Sequence, residues 1–126
     1  LKMLKPADGI EGIKKFVLET IVEAGASPCP PIILGIGIGG TMEKAALMSK
    51  EALLRRAGTS SSDPIVAKLE KEMLELVNKT GIGPQGLGGN VTALAVHIET
   101  YPTHIAALPV AVNIQCHAAR HQEAIL

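Results

Sequence analysis

Two cysteines are the residues whose chemistry stands out first. Cys29 lies in the segment Ser27-Pro28-Cys29-Pro30-Pro31, and Cys116 lies in the segment Asn113-Ile114-Gln115-Cys116-His117. Their separation of 87 residues fits no zinc-finger spacing. Isolated cysteines are more often inert buried thiols than metal ligands, so residue type and spacing alone leave both interpretations open.

Histidines form the second group of candidates. The last third of the chain holds all four: His97, His104, His117 and His121. On a helix, His117 and His121 would share a face and could bind zinc if a carboxylate or thiolate joined them. The chain contains no H-E-x-x-H and no G-x-S-x-G segment, so the usual metalloprotease and serine-hydrolase motifs are excluded. At each position a solvated or hydrogen-bonded histidine is the alternative to a functional one.

Two glycine-rich segments could bring backbone close to a ligand. The first, Gly35-x-Gly37-x-Gly39-Gly40, lies between a predicted strand and a predicted helix, but it lacks the G-x-G-x-x-G register and a Walker lysine. A nucleotide site is therefore disfavoured, whereas free N–H groups near Thr41 leave binding of a carboxylate or similar anion open. The second, residues 81–89, predicts a loop that approaches another group closely, with a flexible linker as the alternative.

The elements that must position these residues alternate between helix and strand. Apolar spacings of three and four predict a helix from Asp8 to Gly25, opened by a capping box of Asp8 and Glu11. A second helix is predicted from the cap Thr41 to near Gly58, and a third from Asp63-Pro64 to Gly81. The predicted buried faces are Ala45, Ala46, Leu47, Met48, Leu53 and Leu54 on the second helix, and Ile65, Leu69, Met73, Leu76 and Val77 on the third.

Three apolar segments predict strands at residues 32–38, 91–98 and 106–115, although Pro109 weakens the last because it lacks a ladder donor. A turn is predicted around residues 101–104, and residues 118–126 read as the first turns of a helix. The whole pattern predicts an α/β fold: a single small domain, residues 1–126, with buried strands interleaved with about three helices.

Composition excludes several functional classes. Twelve basic and twelve acidic residues cancel, and no basic run interleaved with aromatic residues is present, so we expect no nucleic-acid partner. No apolar stretch approaches the roughly 20 residues of a membrane span, and no signal-peptide pattern opens the chain, so a soluble, cytoplasmic protein is expected. The chain begins at Leu1 and not at Met, from which we expect further residues upstream. Its 47% hydrophobic content predicts that some apolar surface meets other protein.

Three motifs, taken in order, resemble the class I (iron–sulfur) fumarate hydratases and the related L-tartrate dehydratases. The segment from Cys29-Pro30-Pro31 to Ile38-Gly39-Gly40-Thr41 resembles their second cysteine motif. Residues 81–89 resemble their second glycine-rich loop, and residues 102–116 resemble their third cysteine motif. The resemblance covers residues 27–120, most of the chain.

This resemblance implies a reversible hydro-lyase that converts fumarate to malate or dehydrates tartrate. In the family, three cysteines hold a [4Fe–4S] cluster, and Cys29 and Cys116 match the second and third. The first cysteine and the aspartate base that follows it would lie upstream, and the proton-donating threonine in a C-terminal region or beta subunit. His104, twelve residues before Cys116, matches a family histidine beside the dicarboxylate substrate.

Several expectations follow from the resemblance. No catalytic residue is assigned on this chain, so we expect the fragment alone to be inactive and to lack the cluster. The complete enzyme is expected to be a homo-oligomer. Fumarate and tartrate remain alternative substrates, and so do one-chain and two-subunit forms of the enzyme. A different class of function is also open: a small-anion-binding or assembly module with the same scaffold, no cluster, and ordinary thiols at Cys29 and Cys116.

Overall fold

A four-stranded mixed sheet forms the centre of the fold. The computed structural model describes residues 1–119 and 122–126, and within them three helices flank this sheet in one small α/β domain, as the sequence predicts. The strands are β1 (Lys2–Leu4), β2 (Ile32–Gly39), β3 (Ala93–Tyr101) and β4 (Leu108–Cys116). The helices are α1 (Gly9–Ala24), α2 (Met42–Ala52) and α3 (Pro64–Asn78), with short 3₁₀ turns at Pro6–Asp8 and Pro84–Gly86.

The strand order β1-β4-β2-β3 gives the sheet two distinct ends. β2 and β3 are parallel, whereas β4 runs antiparallel to both β1 and β2. Cys116 pairs with Ile32, so the last residue of β4 lies beside the first residue of β2. We call this end of the sheet the cysteine end. At the opposite end, Gly39 pairs with Tyr101, and the chain continues from Tyr101 into the connection that carries His104. We call that end the His104 end.

The main core lies on one face of the sheet. Leu34 and Ile36 point there and are fully buried, together with side chains from α1 and α3. Side chains alternate between the two faces of a strand, so Gly35 and Gly37 point to the other face, where α2 packs. Each fully buried aliphatic side chain of such a core contributes roughly 1.5–3 kcal/mol to folding. The core side chains from α1 and α3 are Ile13, Val17, Ile21, Val66, Leu69, Met73 and Val77.

Gly35 and Gly37, the first two glycines of the Gly35–Gly40 segment, allow α2 to pack closely against β2. A Cβ atom on Gly35 would overlap the carbonyl oxygen of Ser49, and one on Gly37 would overlap the carbonyl oxygen of Ala45. Both glycines lie inside β2 and let α2 approach the sheet more closely than any side chain would allow. The strand predicted at residues 32–38 includes both glycines, and this position is confirmed.

The helix starts follow the prediction in one case and depart from it in another. Asp63 caps α3 as predicted, since its Oδ1 accepts the N–H groups of Ile65 at 2.8 Å and Val66 at 3.4 Å. The capping box predicted for Asp8 and Glu11 is wrong. The Asp8 carboxylate instead accepts the N–H of Lys5 at 2.8 Å and closes the 3₁₀ turn before α1.

Several predicted buried positions on the helices are exposed. α2 ends at Ala52, earlier than predicted, and presents one narrow side to the sheet, so Ala46, Leu47 and Leu54 face outward. In α3, Ile65 is exposed because it lies in the first turn, beyond the edge of the core. Periodicity located the three helices, but it placed the end of α2 too late and overestimated the width of the apolar faces.

The strand positions shift slightly from the prediction. β3 and β4 begin two residues later than predicted and extend further. Pro109 lies beyond Val110, the last β4 residue paired with β2, so its missing N–H does not interrupt the pairing of β4 with β2. Its partner on the other side is Met3 of β1. β1 was not predicted, since three residues are too few for a recognisable pattern. Residues 118–119 and 122–126 form no helix, while the remaining residues of that predicted segment lie outside the described part.

A buried ion pair covers the outer edge of β3. The Glu70 carboxylate, 5% exposed, accepts from the Arg55 guanidinium at 2.5 Å. It also accepts the N–H of Ile98 in β3 at 2.9 Å and that of Ser61 at 2.9 Å. β3 is an edge strand of the sheet, and the Glu70 carboxylate accepts one of its N–H groups that a neighbouring strand would otherwise bind.

No helix within the described residues is both long and apolar enough to cross a membrane.

Candidate functional site

The fold brings Cys29 and Cys116 to the same end of the sheet. Cys29 lies in the loop between α1 and β2, and Cys116 is the last residue of β4. The Cys116 Sγ lies 3.9 Å from the carbonyl oxygen of Cys29. Both thiols are free, with Cys29 exposed and Cys116 partly exposed. Neither is an inert thiol of the core, which was the alternative left open by their spacing.

The Cys29 backbone adopts an uncommon conformation. Its φ of 54° lies in the left-handed region, where a residue with a side chain costs roughly 1–2 kcal/mol relative to the usual conformations. The N–H of Cys29 donates to the carbonyl oxygen of Ala26 at 3.0 Å, which closes a turn after the end of α1 at Gly25. Contacts from elsewhere in the fold must hold the residue in this conformation.

Two side chains from other elements bind the carbonyl groups of this loop. His117 Nδ1 lies 3.1 Å from the Cys29 carbonyl oxygen, and since a carbonyl can only accept, Nδ1 carries the proton and donates it. Gln85 donates to the Pro30 carbonyl oxygen twice, from its backbone N–H at 2.7 Å and from Nε2 at 3.1 Å. The two consecutive carbonyl groups are therefore held by the residue that follows β4 and by the glycine loop.

The glycine-rich segment 81–89 packs directly against the cysteine loop. Gly86 has φ of 75°, and a Cβ atom on it would overlap the Cβ of Ala26. The N–H of Gly83 donates to the Oγ1 of the fully buried Thr92 at 3.0 Å, which anchors the segment to the start of β3. The prediction of a loop that approaches another group closely is confirmed, and that group is the loop of Cys29.

A backbone N–H group also approaches the sulfur of Cys116. Ala118 donates its N–H to Sγ at 3.4 Å, whereas His117 Nδ1, whose proton is donated to the Cys29 carbonyl, lies 3.8 Å from the sulfur. N–H donors directed at a ligating sulfur are one of the means by which proteins tune an iron–sulfur cluster. The side chains at the cysteine end match the ligand type of an iron–sulfur cluster, because both thiols are accessible and the sulfur of Cys116 already accepts a hydrogen bond.

The number of ligands is lower than a complete site requires. Among the described residues, no group of three or more His, Cys, Asp or Glu side chains could hold a metal ion. A cluster held by three cysteines would take its remaining thiolate from outside residues 1–126.

The structure does not bring His104 to the cysteines. His104 is exposed in the β3–β4 connection, where its Nδ1 accepts the N–H of Ala106 at 3.1 Å. The neighbouring Thr103 donates through Oγ1 to the Gly40 carbonyl oxygen at 2.8 Å, which fixes this connection at the His104 end. The length of β2 separates the two ends by roughly 20 Å. The substrate-binding role of His104 stays a prediction.

The other histidines have different surroundings. His97 is 1% exposed, with Nδ1 3.1 Å from the Ala52 carbonyl oxygen, and its Nε2 has no hydrogen-bond partner in the described part of the chain. Burial lowers the pKa of His97, and the nearby Arg55 lowers it further. His97 is therefore a neutral core residue. His117 lies at the cysteine end, whereas His121 falls outside the described residues.

Two residues of the cysteine end were not predicted from the sequence. The histidine spacing indicates only zinc binding by His117 together with His121, and for Gln85 the sequence indicates only that it lies in the glycine-rich segment 81–89. The one available signal was that His117 follows Cys116 directly. Their hydrogen bonds span 88 and 55 residues, and no local pattern predicts a contact of that range.

Comparison with known proteins gives the family. The family model described as Fumarate hydratase (Fumerase) matches residues 1–125. The chain is 60% identical over 120 residues to the "Putative L(+)-tartrate dehydratase subunit alpha" of Methanocaldococcus jannaschii, covering 95% of this chain and 42% of that protein. It is 43% identical over 119 residues to the L(+)-tartrate dehydratase subunit alpha of Escherichia coli strain K12, covering 94% of this chain and 39% of that protein.

The chain thus spans about two fifths of the length of these curated relatives. The family match extends over both glycine segments, both cysteines and the connection that carries His104. This chain belongs to the Fumarate hydratase (Fumerase) family.

Proposed function

We propose that this chain is part of an iron–sulfur hydro-lyase and contributes Cys29 and Cys116 as two of the three thiolate ligands of a [4Fe–4S] cluster. The observation that carries the proposal is the meeting of these residues at the cysteine end, with Cys116 Sγ 3.9 Å from the Cys29 carbonyl oxygen. A small-anion-binding module would not require two accessible thiols at one end of the sheet. Membership of the fumarate hydratase family supports the reaction class.

The chain supplies part of the chemistry of such a site. When bound, a cluster with one iron free of thiolate provides a Lewis acid for the hydroxyl group that leaves or enters. This chain provides two sulfur ligands: Cys29, held in a left-handed backbone conformation, and Cys116, whose sulfur accepts the backbone N–H of Ala118. The base, the proton donor and the third thiolate are assigned to other parts of the complete enzyme.

The substrate we propose is a four-carbon dicarboxylate, either fumarate and malate or tartrate and oxaloacetate. The relatives are named as alpha subunits of tartrate dehydratases, and the family description names fumarate hydratase. The name of the relatives supports a beta subunit, or an equivalent C-terminal region, as partner. We place the enzyme in the cytoplasm, where a reducing environment preserves free thiols. The 126-residue chain alone is expected to be inactive.

The position of His104 constrains how it could serve this site. Because the two ends of the sheet lie roughly 20 Å apart, His104 does not lie beside Cys29 and Cys116 of its own chain. We therefore propose that His104 reaches the site of a second copy in a homo-oligomer. Its exposed position in the β3–β4 connection is compatible with such a contact.

The experiment that tests the proposal uses the complete protein, purified without oxygen, with iron and sulfide measured and both fumarate and tartrate assayed. Cys29→Ala and Cys116→Ala are each expected to lower bound iron and to abolish turnover. The matched control is Asn90→Ala, which removes an exposed polar side chain at the same end of the sheet. Iron content unchanged in both cysteine variants would overturn the assignment of the ligands.

A further inference from the structure

We infer that His117 is a positioning residue that holds Cys29 in place relative to Cys116. The inference deepens the proposed function, on which it rests for the role of Cys29 as a ligand. The interaction that we infer to matter is one hydrogen bond, from the His117 imidazole after β4 to the loop between α1 and β2. His117 does not itself bind the metal in this proposal.

The contact joins the two cysteines through one ring nitrogen. His117 Nδ1 donates to the Cys29 carbonyl oxygen at 3.1 Å and lies 3.8 Å from the Cys116 sulfur. Cys116 is the last residue of β4, so its backbone is held by the sheet. Because His117 directly follows this fixed strand end, its hydrogen bond holds the Cys29 loop, 88 residues away in sequence, at a set position relative to β4.

The Cys29 loop needs such a contact because its own local bonds are few. The Cys29 N–H is bound within the turn to Ala26, and the next carbonyl, that of Pro30, is bound by Gln85. The carbonyl of Cys29 itself accepts from His117 Nδ1 at 3.1 Å and from the weaker thiol donor of Cys116, whose Sγ lies 3.9 Å away. Without His117, only this weak contact remains, and the left-handed conformation that directs the thiol loses its stronger support at this carbonyl.

Preorganised ligands bind a metal more tightly because the ordering cost is met during folding. Groups that orient metal ligands from the next layer of structure typically change metal affinity by about 10- to 100-fold when removed. His117 differs from a general stabilising residue in one respect: its imidazole is exposed and binds one carbonyl of the ligand loop. Its loss should affect the loop more than the core.

The geometry of the imidazole distinguishes two conservative replacements. The amide nitrogen of Asn lies near the position of Nδ1, so His117→Asn retains a donor for the Cys29 carbonyl. The amide nitrogen of Gln lies one bond further out, near the position of Nε2, so His117→Gln does not. His117→Ala removes the donor entirely. Rescue by Asn and not by Gln would be specific to a hydrogen bond from the Nδ1 position.

The first measurement uses the complete protein loaded with iron and sulfide, and follows iron release to a chelator without oxygen. His117→Ala and His117→Gln are expected to release iron about tenfold faster than the natural protein. His117→Asn and the control Asn90→Ala are expected to release it at the natural rate. Thermal unfolding of each variant checks that the proteins are equally folded.

The second measurement does not depend on a cluster. In the metal-free complete protein, alkylation of Cys29 by iodoacetamide is followed by peptide mapping, with added glutathione as the reference thiol, because Cys116 itself lies 3.8 Å from His117 Nδ1. The ratio of the two rates is expected to change in His117→Ala and to return to the natural value in His117→Asn. If the natural protein binds no iron, the proposed function fails, while the alkylation ratio still tests the role of His117. Natural alkylation ratios in His117→Ala would overturn the inference.

Discussion

The sulfur of Cys116 lies 3.9 Å from the carbonyl oxygen of Cys29, although 87 residues separate the two cysteines in the chain. The sheet topology accounts for this closeness. β4 runs antiparallel to β2, so its last residue returns to Ile32, shortly after the Cys29 loop. A slip of one residue in this register would turn Cys116 to the opposite face of the sheet. The candidate ligand pair therefore depends on the register of the central strand pairing.

A mixed-copy experiment tests whether His104 serves the site of a second copy. One copy carries His104→Ala and the other carries Cys29→Ala, and both are produced together as complete proteins. In a mixed dimer, one site then combines the intact cysteines of the first copy with the intact His104 of the second. We expect recovered turnover in the mixture, although each variant alone is inactive or strongly impaired.

The control for that experiment mixes the two purified variants under conditions in which subunits do not exchange. No recovery is expected there. If co-production also fails to restore turnover while mixed dimers are shown to form, His104 does not act across copies.

Gly37→Ala is expected to separate α2 from the sheet. The added methyl group would overlap the carbonyl oxygen of Ala45 and lie 2.8 Å from the backbone nitrogen of Ser49. Overpacking of this kind costs about 2 kcal/mol of the free energy of unfolding. Urea unfolding measures the change. Leu47→Ala, on the exposed side of the same helix, should change it by less than about 0.5 kcal/mol, and equal effects would contradict the packing argument.

Glu70→Ala is expected to destabilise the outer edge of the sheet. It removes the nearer carboxylate of Arg55, which leaves only Glu99 at 3.7 Å, and it removes the acceptor for the N–H groups of Ser61 and Ile98. Removal of one member of a buried, hydrogen-bonded ion pair costs about 3 kcal/mol. Chemical denaturation of the variant and of Glu75→Ala, an exposed carboxylate on the same helix, provides the comparison. A loss no larger than that of the control would show that the pair contributes little.

His97 should make stability fall at mildly acidic pH. Burial, followed by the charge of Arg55, lowers the pKa of His97 below its ordinary value, against the opposing effects of Ala52, Glu70 and Glu99. The unfolded chain takes up a proton at about pH 6.5, whereas the folded chain resists protonation until lower pH. The contribution of His97 is therefore fully present above about pH 6.5 and is lost as pH falls below it.

The variant His97→Gln lacks this titration. We expect its free energy of unfolding to fall less steeply between about pH 7 and about pH 5 than that of the natural chain, because no imidazole remains to be protonated. Urea unfolding at several pH values within this range measures both slopes. Parallel slopes would show that His97 is not the group responsible.

The sequence predicted the elements well where local chemistry decides them. Asp63 followed by proline predicts the start of α3 because the carboxylate can bind N–H groups two and three residues ahead. It failed where packing decides the outcome: Leu54 is apolar and correctly spaced, yet α2 ends at Ala52 and leaves it outside the core. β1 was missed because a three-residue strand is stabilised by its partner β4 and not by its own pattern.

The candidate site divides in the same way. The sequence by itself determined which residues have the chemistry: two thiols, two glycine-rich segments and a histidine before Cys116, in an order typical of the family. Only the tertiary structure decided which of these meet. It placed Cys29 and Cys116 at one end of the sheet and His104 at the other, and it directed His117 to the Cys29 carbonyl. The reason is physical: strand direction and register set these distances, and both arise from long-range pairing that no local segment encodes.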